Sequence, residues 1–451
     1  MIENIASVGV FAFYIVLLFF SVFFKNTEKR FLALFLGFLF IPSCVAFCDH
    51  PSISARDVLL YTFFLGESIH NLPLLKKSWK EFPVKIPLLF IFLSLFVTGF
   101  FTRSEGLGKA VYEVVRSFFD VFSFLFVGFY VGKKIEGPRL LKLLSVPIIF
   151  FCTLGIAEAM LQDSFAFRYV CKAFPIYKGM YWLDGTIDLS ESWRTRIIIT
   201  TDHPNALAGN LVCLFFFFFA YFKNKSFKIG IARVVLFLLA VSSVLCGSRT
   251  LVFLLIVISA IFYFFRLSNR TKVIVAIVVS LALFGGVQVY SKFMETFNQE
   301  GQGSSIELRL VQLAVSYTYF INSPIYGNGL HFIQKDILGS DAGPVKGDED
   351  AKYFESLLFY LLINFGLVGL ASYGVLILTL LIYFLRRKKK FIAASQGFLV
   401  TLALFAIMFL NGNSGNYFSH GLMLVGLCLG NCALDENSDS ESAEKESVTS
   451  V

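Results

Sequence analysis

The chain has 451 residues, of which 57% are hydrophobic and 16% are charged, and its formal net charge is +8. This composition excludes a series of soluble domains, and no nucleic-acid partner is predicted because most basic residues lie in short loops between apolar segments. The eight cysteines form no CxxC or Cys/His cluster, so neither a zinc site nor a disulfide framework is predicted.

Apolar segments of about 18–23 residues follow one another along the chain, and each is long enough to cross a hydrocarbon core about 30 Å thick. The first, 5–24, has no small-residue cleavage site after it and is interpreted as a retained helix. The predicted fold is all-α, a polytopic transmembrane helical bundle of about 12–13 spans in a lipid bilayer. The candidate spans are 4–24, 31–48, 57–75, 86–102, 110–132, 143–160, 203–222, 231–247, 250–265, 273–291, 366–385, 391–410 and 418–433.

Basic residues mark every second connection between these spans, and the positive-inside rule places those connections in the cytoplasm. The two long polar connections, 161–202 and 292–353, then face the opposite side, which in a bacterium is the periplasm. Thirteen spans would place the N-terminus outside, and twelve would place it inside. The predicted organisation is a membrane domain over 1–434 and a disordered, acidic cytoplasmic tail over 435–451.

The first outward connection leads into "RTRIIITTDHPNALAGNLV", residues 194–212. Asp202 is suited to cap the next helix, with Pro204 near its first position and Asn205 in its first turn. The cap does not account for Arg194 and Arg196, which stand on the side that the positive-inside bias leaves poor in arginine. A bound anion on that side would account for both arginines.

Three further polar residues stand near the outward ends of helices. Arg249, in "CGSRTLVF", occupies a tight turn between two spans, where an arginine is costly unless it is paired, faces water or extends to the interface. Arg309 lies in the helical stretch "SSIELRLVQLAVSYTYFINSP" of the second outward connection, and His331 follows the glycines of "GNGLHF". Each residue also has an ordinary explanation: snorkelling for Arg249, a solvated helix face for Arg309 and a surface loop for His331.

Together these residues place several arginines and two histidines on one side of the membrane, beside connections that contain Trp182 and Trp193. Arginine binds diphosphates through bidentate, charge-assisted hydrogen bonds. Exposed Trp and Tyr side chains are apolar platforms for sugar rings. The sequence therefore predicts an outward-facing site for an anionic, lipid-linked saccharide.

Four stretches, in this order, resemble the O-antigen polymerase and O-antigen ligase superfamily of bacterial inner membranes: "RTRIIITTDHPNALAG", the "SRT" turn at 248–250, "ELRLVQLAVSYTYFINSPIYGNGL" and "ESLLFYLLINFGLVGL". The resemblance spans 190–385. It implies one of two activities: polymerases join repeat units carried on undecaprenyl diphosphate, and ligases transfer finished polymer to lipid A-core. Ligases typically carry a His-Asn pair where this chain has Glu355 and Ser356, so the resemblance favours a polymerase.

The resemblance also implies a glycosyl transfer with inversion, without a metal or another cofactor, on an undecaprenyl-diphosphate-linked oligosaccharide. Arginines would stabilise the leaving diphosphate, because fixed cations aimed at a developing charge are commonly a large contribution to catalysis. A base would deprotonate the acceptor hydroxyl, and Glu355, His331 and His203 are the candidates. A separate chain-length regulator is a further implied partner. The predicted catalytic residues are Arg249, Arg309, His331 and Glu355, and the predicted substrate-binding residues are Arg194, Arg196, His203, Asn205, Trp182 and Trp193.

Two other classes of protein stay open on the sequence alone. A transporter, of lipid-linked oligosaccharides or of small solutes, would bury charges inside several spans. Its candidate residues here are Glu67 and His70, Glu158, and the helical set Glu113, Arg116 and Asp120. The second class is a scaffold for an envelope assembly, without catalysis. No inverted repeat of the kind found in secondary transporters is evident in the sequence.

Overall fold

A computed structural model describes residues 2–42, 44–48, 53–101, 107–177, 197–201, 204–221, 229–264, 305–330, 332–333, 356–411 and 415–449. Helices account for most of these residues. In chain order they are α1 (Ile2–Phe23), α2 (Thr27–Phe40), α3 (Ala55–Glu81), α4 (Lys85–Phe101), α5 (Leu107–Gly132), α6 (Gly137–Leu161), α7 (Phe165–Lys172), α8 (Pro204–Phe219), α9 (Ile229–Leu245), α10 (Arg249–Phe264), α11 (Ser305–Asn322), α12 (Leu357–Arg387), α13 (Ile392–Asn411) and α14 (Gly415–Thr449).

Seven of the described helices are long and apolar enough to cross a membrane, namely α1, α3, α5, α6, α12, α13 and α14. Four shorter apolar helices accompany them in the same part of the chain, namely α4, α8, α9 and α10. The prediction of an all-α polytopic membrane protein is confirmed. The predicted span 273–291 lies outside the described residues.

The predicted span 31–48 is shorter in the structure, because α2 ends at Phe40. Pro42 follows two residues later, and a proline disfavours helical backbone at the residue before it. The chain then forms β1 (Val45–Cys48), which pairs antiparallel with β2 (Ile53–Ser54) and with β3 (Ile176–Tyr177). Since β3 belongs to the first long connection, the sheet ties the start of that connection to the chain between α2 and α3.

The C-terminal helices correspond to the predicted spans, and the last of them continues beyond its span. Gly366 interrupts α12 with φ 59° and ψ −152°, at the glycine-centred turn expected from the sequence. α14 continues to Thr449 and so covers most of the tail for which the sequence predicts disorder. Glu, Ala and Lys in "ESAEKE" are good helix formers. An ion pair of 2.5 Å between Arg387 and Glu436 holds the start of the tail to the end of α12.

The structure divides into two compact units. Unit 1 consists of Met1–Phe92, Val115–Val252 and Tyr373–Val451, and unit 2 consists of Leu93–Val114 and Phe253–Ser372. In unit 1, α8 packs against α9, α13 and α14, and 14 of its 16 residues are buried. A helix that is apolar on all sides belongs in the centre of a bundle, so α8 is the core of this unit.

A buried ionic cluster joins α2, α3 and α5 within unit 1. The Arg30 and Glu67 side chains are fully buried, and Nε and Nη2 of Arg30 donate to Oε1 of Glu67 at 3.0 and 2.8 Å. Oε2 of Glu67 accepts from the Tyr130 hydroxyl and from Asn71 Nδ2, and Lys134 Nζ lies 3.6 Å away. A buried ion pair is tolerated only when its remaining donors and acceptors are satisfied, and this arrangement supplies those partners. We call these five residues the Arg30–Glu67 cluster.

Candidate functional site

The centre of the "RTRIIITTDHPN" stretch, residues 197–201, is buried in unit 1. The Ile199 N–H donates to Oε2 of Glu158 on α6 at 2.8 Å. The Thr200 hydroxyl donates to the Leu39 carbonyl, at the end of α2, at 2.5 Å. Glu158 is only 3% exposed, so this carboxylate is held in the interior against the backbone that it binds.

The 197–201 segment has a strained backbone. Ile199 has a φ of 53°, a left-handed conformation that is rare for a β-branched residue. Gly155 of α6 makes room for it, since a Cβ there would lie 2.8 Å from Cδ1 of both Ile197 and Ile199. Strained backbone persists only where its surroundings over-determine it, and it is concentrated at functional sites. The bond from Glu158 provides that constraint here.

A main-chain hydrogen bond brings two of the predicted arginine neighbourhoods together. The Ile197 N–H donates to the Leu245 carbonyl, at the end of α9, at 3.2 Å. Ile197 directly follows Arg196, and Leu245 is four residues before Arg249. Arg249 is the first residue of α10, so the chain entering the "DHPN" stretch lies beside the α9–α10 turn.

The turn itself depends on Gly247, whose φ of 66° places it in the left-handed region. Its N–H donates to the Val244 carbonyl at 2.9 Å, and the Val252 N–H donates to the Ser248 carbonyl at 3.1 Å. Glycine adopts this conformation without strain, which explains the tight connection that the sequence shows between two spans. α10 therefore begins within a few residues of the end of α9.

α8 begins at Pro204, close to the position that the capping pattern predicts. Proline is favoured in the first turn of a helix, because its missing N–H would have no partner there. Asn205, in the same turn, is half-buried, and Asn210 lies further along α8 with 5% exposure. The positive end of the α8 dipole thus lies directly after the 197–201 segment and favours negative charge nearby.

Sequence reasoning missed two buried basic residues of unit 1. Arg56, in the first turn of α3, donates to the Ile41 carbonyl at 2.5 Å and to the Phe38 carbonyl at 3.1 Å. His420 of α14 lies edge-on to Phe35 and Phe38, with ring centroids 5.7 and 6.2 Å apart. Both residues flank apolar segments in the sequence, so a search for polar residues at span ends would have found them. Arg56 caps the end of α2, where Thr200 also binds.

Unit 2 contains a second arrangement, which we call the glycine clasp: residues 324–329 bonded to residues 363–368. Gly327 and Gly366 both have positive φ, 73° and 59°. A Cβ on Gly366 would lie 2.7 Å from the Pro324 and Ile325 carbonyl oxygens, so only glycine fits. The main-chain bonds run from Asn328 N to Ile363 O (2.8 Å), Gly329 N to Asn364 O (3.1 Å), Leu367 N to Pro324 O (2.9 Å) and Val368 N to Ile325 O (3.1 Å).

The clasp brings three segments of unit 2 into one apolar core. Val315 of α11, Ile333 and Ile363 of α12 form its buried centre. The rings of Tyr319 and Phe332 meet edge-on with centroids 5.3 Å apart. Each of the three segments lies next to a predicted catalytic residue: α11 contains position 309, residues 332–333 follow position 331, and α12 begins two residues after position 355. These three parts of the chain therefore pack together.

Most predicted site residues lie outside what the structure describes. Asn205 is described, in α8. Arg249 and Arg309 have described backbone, in α10 and α11, but the description does not extend to their side chains. The predicted residues outside the described ranges are Arg194, Arg196, Trp182, Trp193, His203, His331 and Glu355.

Comparison with known protein families shows which family the α9–α10 turn and the glycine clasp resemble. Residues 234–374 match the family model described as O-Antigen ligase. This part of the chain is therefore similar to an O-antigen ligase domain. The match supports the O-antigen polymerase and ligase superfamily and does not separate polymerases from ligases. It covers just under a third of the chain and includes the α9–α10 turn, α11 and the glycine clasp. A comparison with curated proteins gave no match.

Proposed function

We propose that this O-antigen ligase-like membrane protein is an O-antigen polymerase. It would join oligosaccharide repeat units carried on undecaprenyl diphosphate, at the periplasmic face of the bacterial inner membrane. The family match supports the reaction class, and the Ile197–Leu245 hydrogen bond supports the site, because it brings the chain next to Arg196 to the turn that precedes Arg249. Glu355 and Ser356, in place of the His-Asn pair typical of ligases, favour polymerisation.

In the proposed step, the acceptor sugar hydroxyl loses its proton to a base and its oxygen attacks the anomeric carbon of the donor sugar. The bond from that carbon to the diphosphate oxygen breaks, and undecaprenyl diphosphate leaves with the electron pair. Arg196 and Arg249 stabilise the negative charge that develops on the diphosphate, and Arg194 assists binding. Inversion at the anomeric carbon follows from a single displacement.

The other proposed participants come from the remaining predicted residues. Arg309 is a further cation for the diphosphate, and Glu355, His331 and His203 are the candidate bases. A base must reach the acceptor hydroxyl and have a pKa suited to the working pH. Trp182 and Trp193 would hold sugar rings.

A cellular experiment tests the arginine role. In Arg249→Ala cells we expect lipopolysaccharide with a single repeat unit instead of long-chain ladders, because the leaving diphosphate has lost a fixed cation. Loss of one such preorganised contribution typically costs about 10²–10³-fold in rate. Arg249→Lys should retain part of the ladder. Arg233→Ala, at the opposite end of α9, is the matched control and should leave the ladder intact. A normal ladder from Arg249→Ala at equal protein level contradicts the proposal.

The nearest alternative is the O-antigen ligase that the family description names. Deletion of the gene separates the two activities. A strain that lacks a polymerase makes core carrying one repeat unit, whereas a strain that lacks a ligase makes bare core and accumulates lipid-linked polymer.

Reconstitution tests the enzyme class directly. Purified protein in lipid, given lipid-linked repeat units and no nucleotide sugar, should form new glycosidic bonds, which mass spectrometry of the saccharide detects. Transport of the intact substrate without bond formation would favour the transporter, and absence of both would favour the scaffold.

A further inference from the structure

α11 exposes an apolar stripe that faces away from the core of unit 2. Leu310, Leu313, Tyr317 and Ile321 are 61%, 46%, 62% and 56% exposed. Their spacing of three, four and four residues places them on one face of the helix. Its opposite face carries Val315, which belongs to the buried core of the unit. From Leu310 to Ile321, α11 is thus packed on one side and exposed on the other.

This exposed face carries no charged residue between Leu310 and Ile321. Between residues 310 and 326 the chain contains no Lys, Arg, Asp or Glu. The Thr318 hydroxyl on this side donates back to the Ala314 carbonyl at 3.1 Å. A helix exposed to water normally carries charged residues on its outer face, whereas a helix against lipid satisfies its hydroxyl groups internally. α11 follows the second pattern.

The stripe continues onto a membrane-spanning helix. Ile325 is 54% exposed, and its carbonyl accepts from the Val368 N–H of α12 at 3.1 Å. The neighbouring Leu367 is 50% exposed and belongs to α12, one of the helices long and apolar enough to cross a membrane. The apolar surface therefore runs from α11 through Ile325 to a helix that is long and apolar enough to cross a membrane. Tyr317 and Tyr326 stand on this surface, and tyrosine is enriched at the membrane–water interface.

We propose that α11 is a membrane-interfacial helix whose face of Leu310, Leu313, Tyr317 and Ile321 rests on the lipid of the bilayer that α12 crosses. The 18 residues of α11 span about 27 Å along the helix axis, enough for an extended contact with lipid. Burial of this face in the acyl boundary favours the arrangement by the hydrophobic effect. The second long connection is thereby anchored to the membrane at its helical part. The proposal does not depend on the reaction that the protein catalyses.

Spin-label accessibility tests the proposal on the full-length protein in nanodiscs of phosphatidylethanolamine and phosphatidylglycerol. Leu313→Cys and Tyr317→Cys would each carry a nitroxide on the stripe. Leu378→Cys, at a position 59% exposed on α12, is the lipid reference, and Lys77→Cys, with a side chain 70% exposed, is the water reference. Protein without a new cysteine gives the background from the eight native cysteines, of which Cys44, Cys152, Cys171, Cys213, Cys246, Cys428 and Cys432 are buried.

We expect both labels on α11 to collide readily with oxygen and poorly with a water-soluble nickel chelate, as the label at position 378 does. Collision with nickel as frequent as at position 77 would overturn the proposal in favour of water. Poor collision with both reagents would overturn it in favour of a protein partner or a second copy of the chain.

A conservative substitution provides a second measurement that does not depend on labelling. Tyr317→Trp should lose fluorescence when the nanodiscs contain brominated lipids, beyond the loss shown by the unsubstituted protein with its three native tryptophans. An equal loss in the two proteins would also overturn the proposal.

Discussion

At the scale of single residues, two charges that the sequence offered to a transport path have structural partners. Glu67 is bound by Arg30, and Oε2 of Glu158 accepts from the Ile199 N–H. The ion pair of Glu67 with Arg30 joins α3 to α2, which is the ordinary structural use of a buried charge whose partners are satisfied. Glu67 therefore adds little support to a transporter, whereas Oε1 of Glu158 has no hydrogen-bond partner among the described residues.

The Arg30–Glu67 cluster should be costly to break. Arg30→Met leaves the fully buried Glu67 without its main partner, and removal of one partner of a buried pair typically costs about 3–5 kcal/mol. Arg139→Met is the matched control, because the Arg139–Glu28 pair of 2.8 Å involves an arginine side chain that is 67% exposed and should contribute about 0–1 kcal/mol. Thermal unfolding of the purified proteins in detergent measures both. Equal midpoints for the two variants would contradict a stabilising role of the cluster.

Glu158 should act through the hydrogen bond to Ile199. Glu158→Ala leaves a buried N–H without an acceptor, which costs about 1–3 kcal/mol, and frees a strained segment next to Arg196. Glu158→Gln keeps an acceptor oxygen and should retain most of the stability and most of the O-antigen ladder. Thermal midpoints and lipopolysaccharide gels measure the two effects. Equal impairment of the alanine and glutamine variants would contradict the role of this hydrogen bond.

At the scale of elements, the sequence correctly predicted the helix starts and turns that proline and glycine determine locally. The start of α8 near Pro204, the tight turn before Arg249 and the break at Gly366 follow from proline and glycine, whose backbone preferences can be recognised in the sequence. The bonds of the 197–201 segment to Leu39 and Leu245 were not predicted, because they join residues far apart in the chain. The side-chain partners of the Arg30–Glu67 cluster were missed for the same reason.

The glycine clasp gives a prediction for α12. Gly366→Ala forces a side chain into a backbone conformation that is essentially confined to glycine, at about 1–3 kcal/mol, and the Cβ would lie 2.7 Å from two carbonyl oxygens. Gly374→Ala is the control in the same helix, since a Cβ there meets nothing within 4 Å and alanine favours a helix by about 1 kcal/mol. We expect a lower thermal midpoint for the first variant and an equal or higher one for the second. A stable Gly366→Ala protein would show that the clasp is not required.

At the scale of the whole molecule, the family match and the predicted site do not coincide. The match begins at residue 234, yet the 197–201 segment before it is held by Leu39 and Glu158, which precede the stretch of resemblance at 190–385. That earlier part of the chain was predicted as a succession of apolar helices and was assigned no residue of the candidate site except Trp182. In the structure it supplies the carboxylate and the carbonyl that fix the backbone of the candidate site.

The alternation of basic connections gives a last prediction, for the orientation of the chain in the membrane. By the positive-inside rule we expect the connections around positions 77 and 389 in the cytoplasm and the connection after α6 in the periplasm. Cysteines introduced as Lys172→Cys, Lys77→Cys and Lys389→Cys occupy exposed positions in these connections. In spheroplasts, a membrane-impermeant maleimide should label only the first, and permeabilisation should expose the other two. Labelling of position 77 or 389 in intact spheroplasts would invert the topology and move the 197–201 segment to the cytoplasmic side, where no lipid-linked repeat unit is polymerised under the proposed reaction.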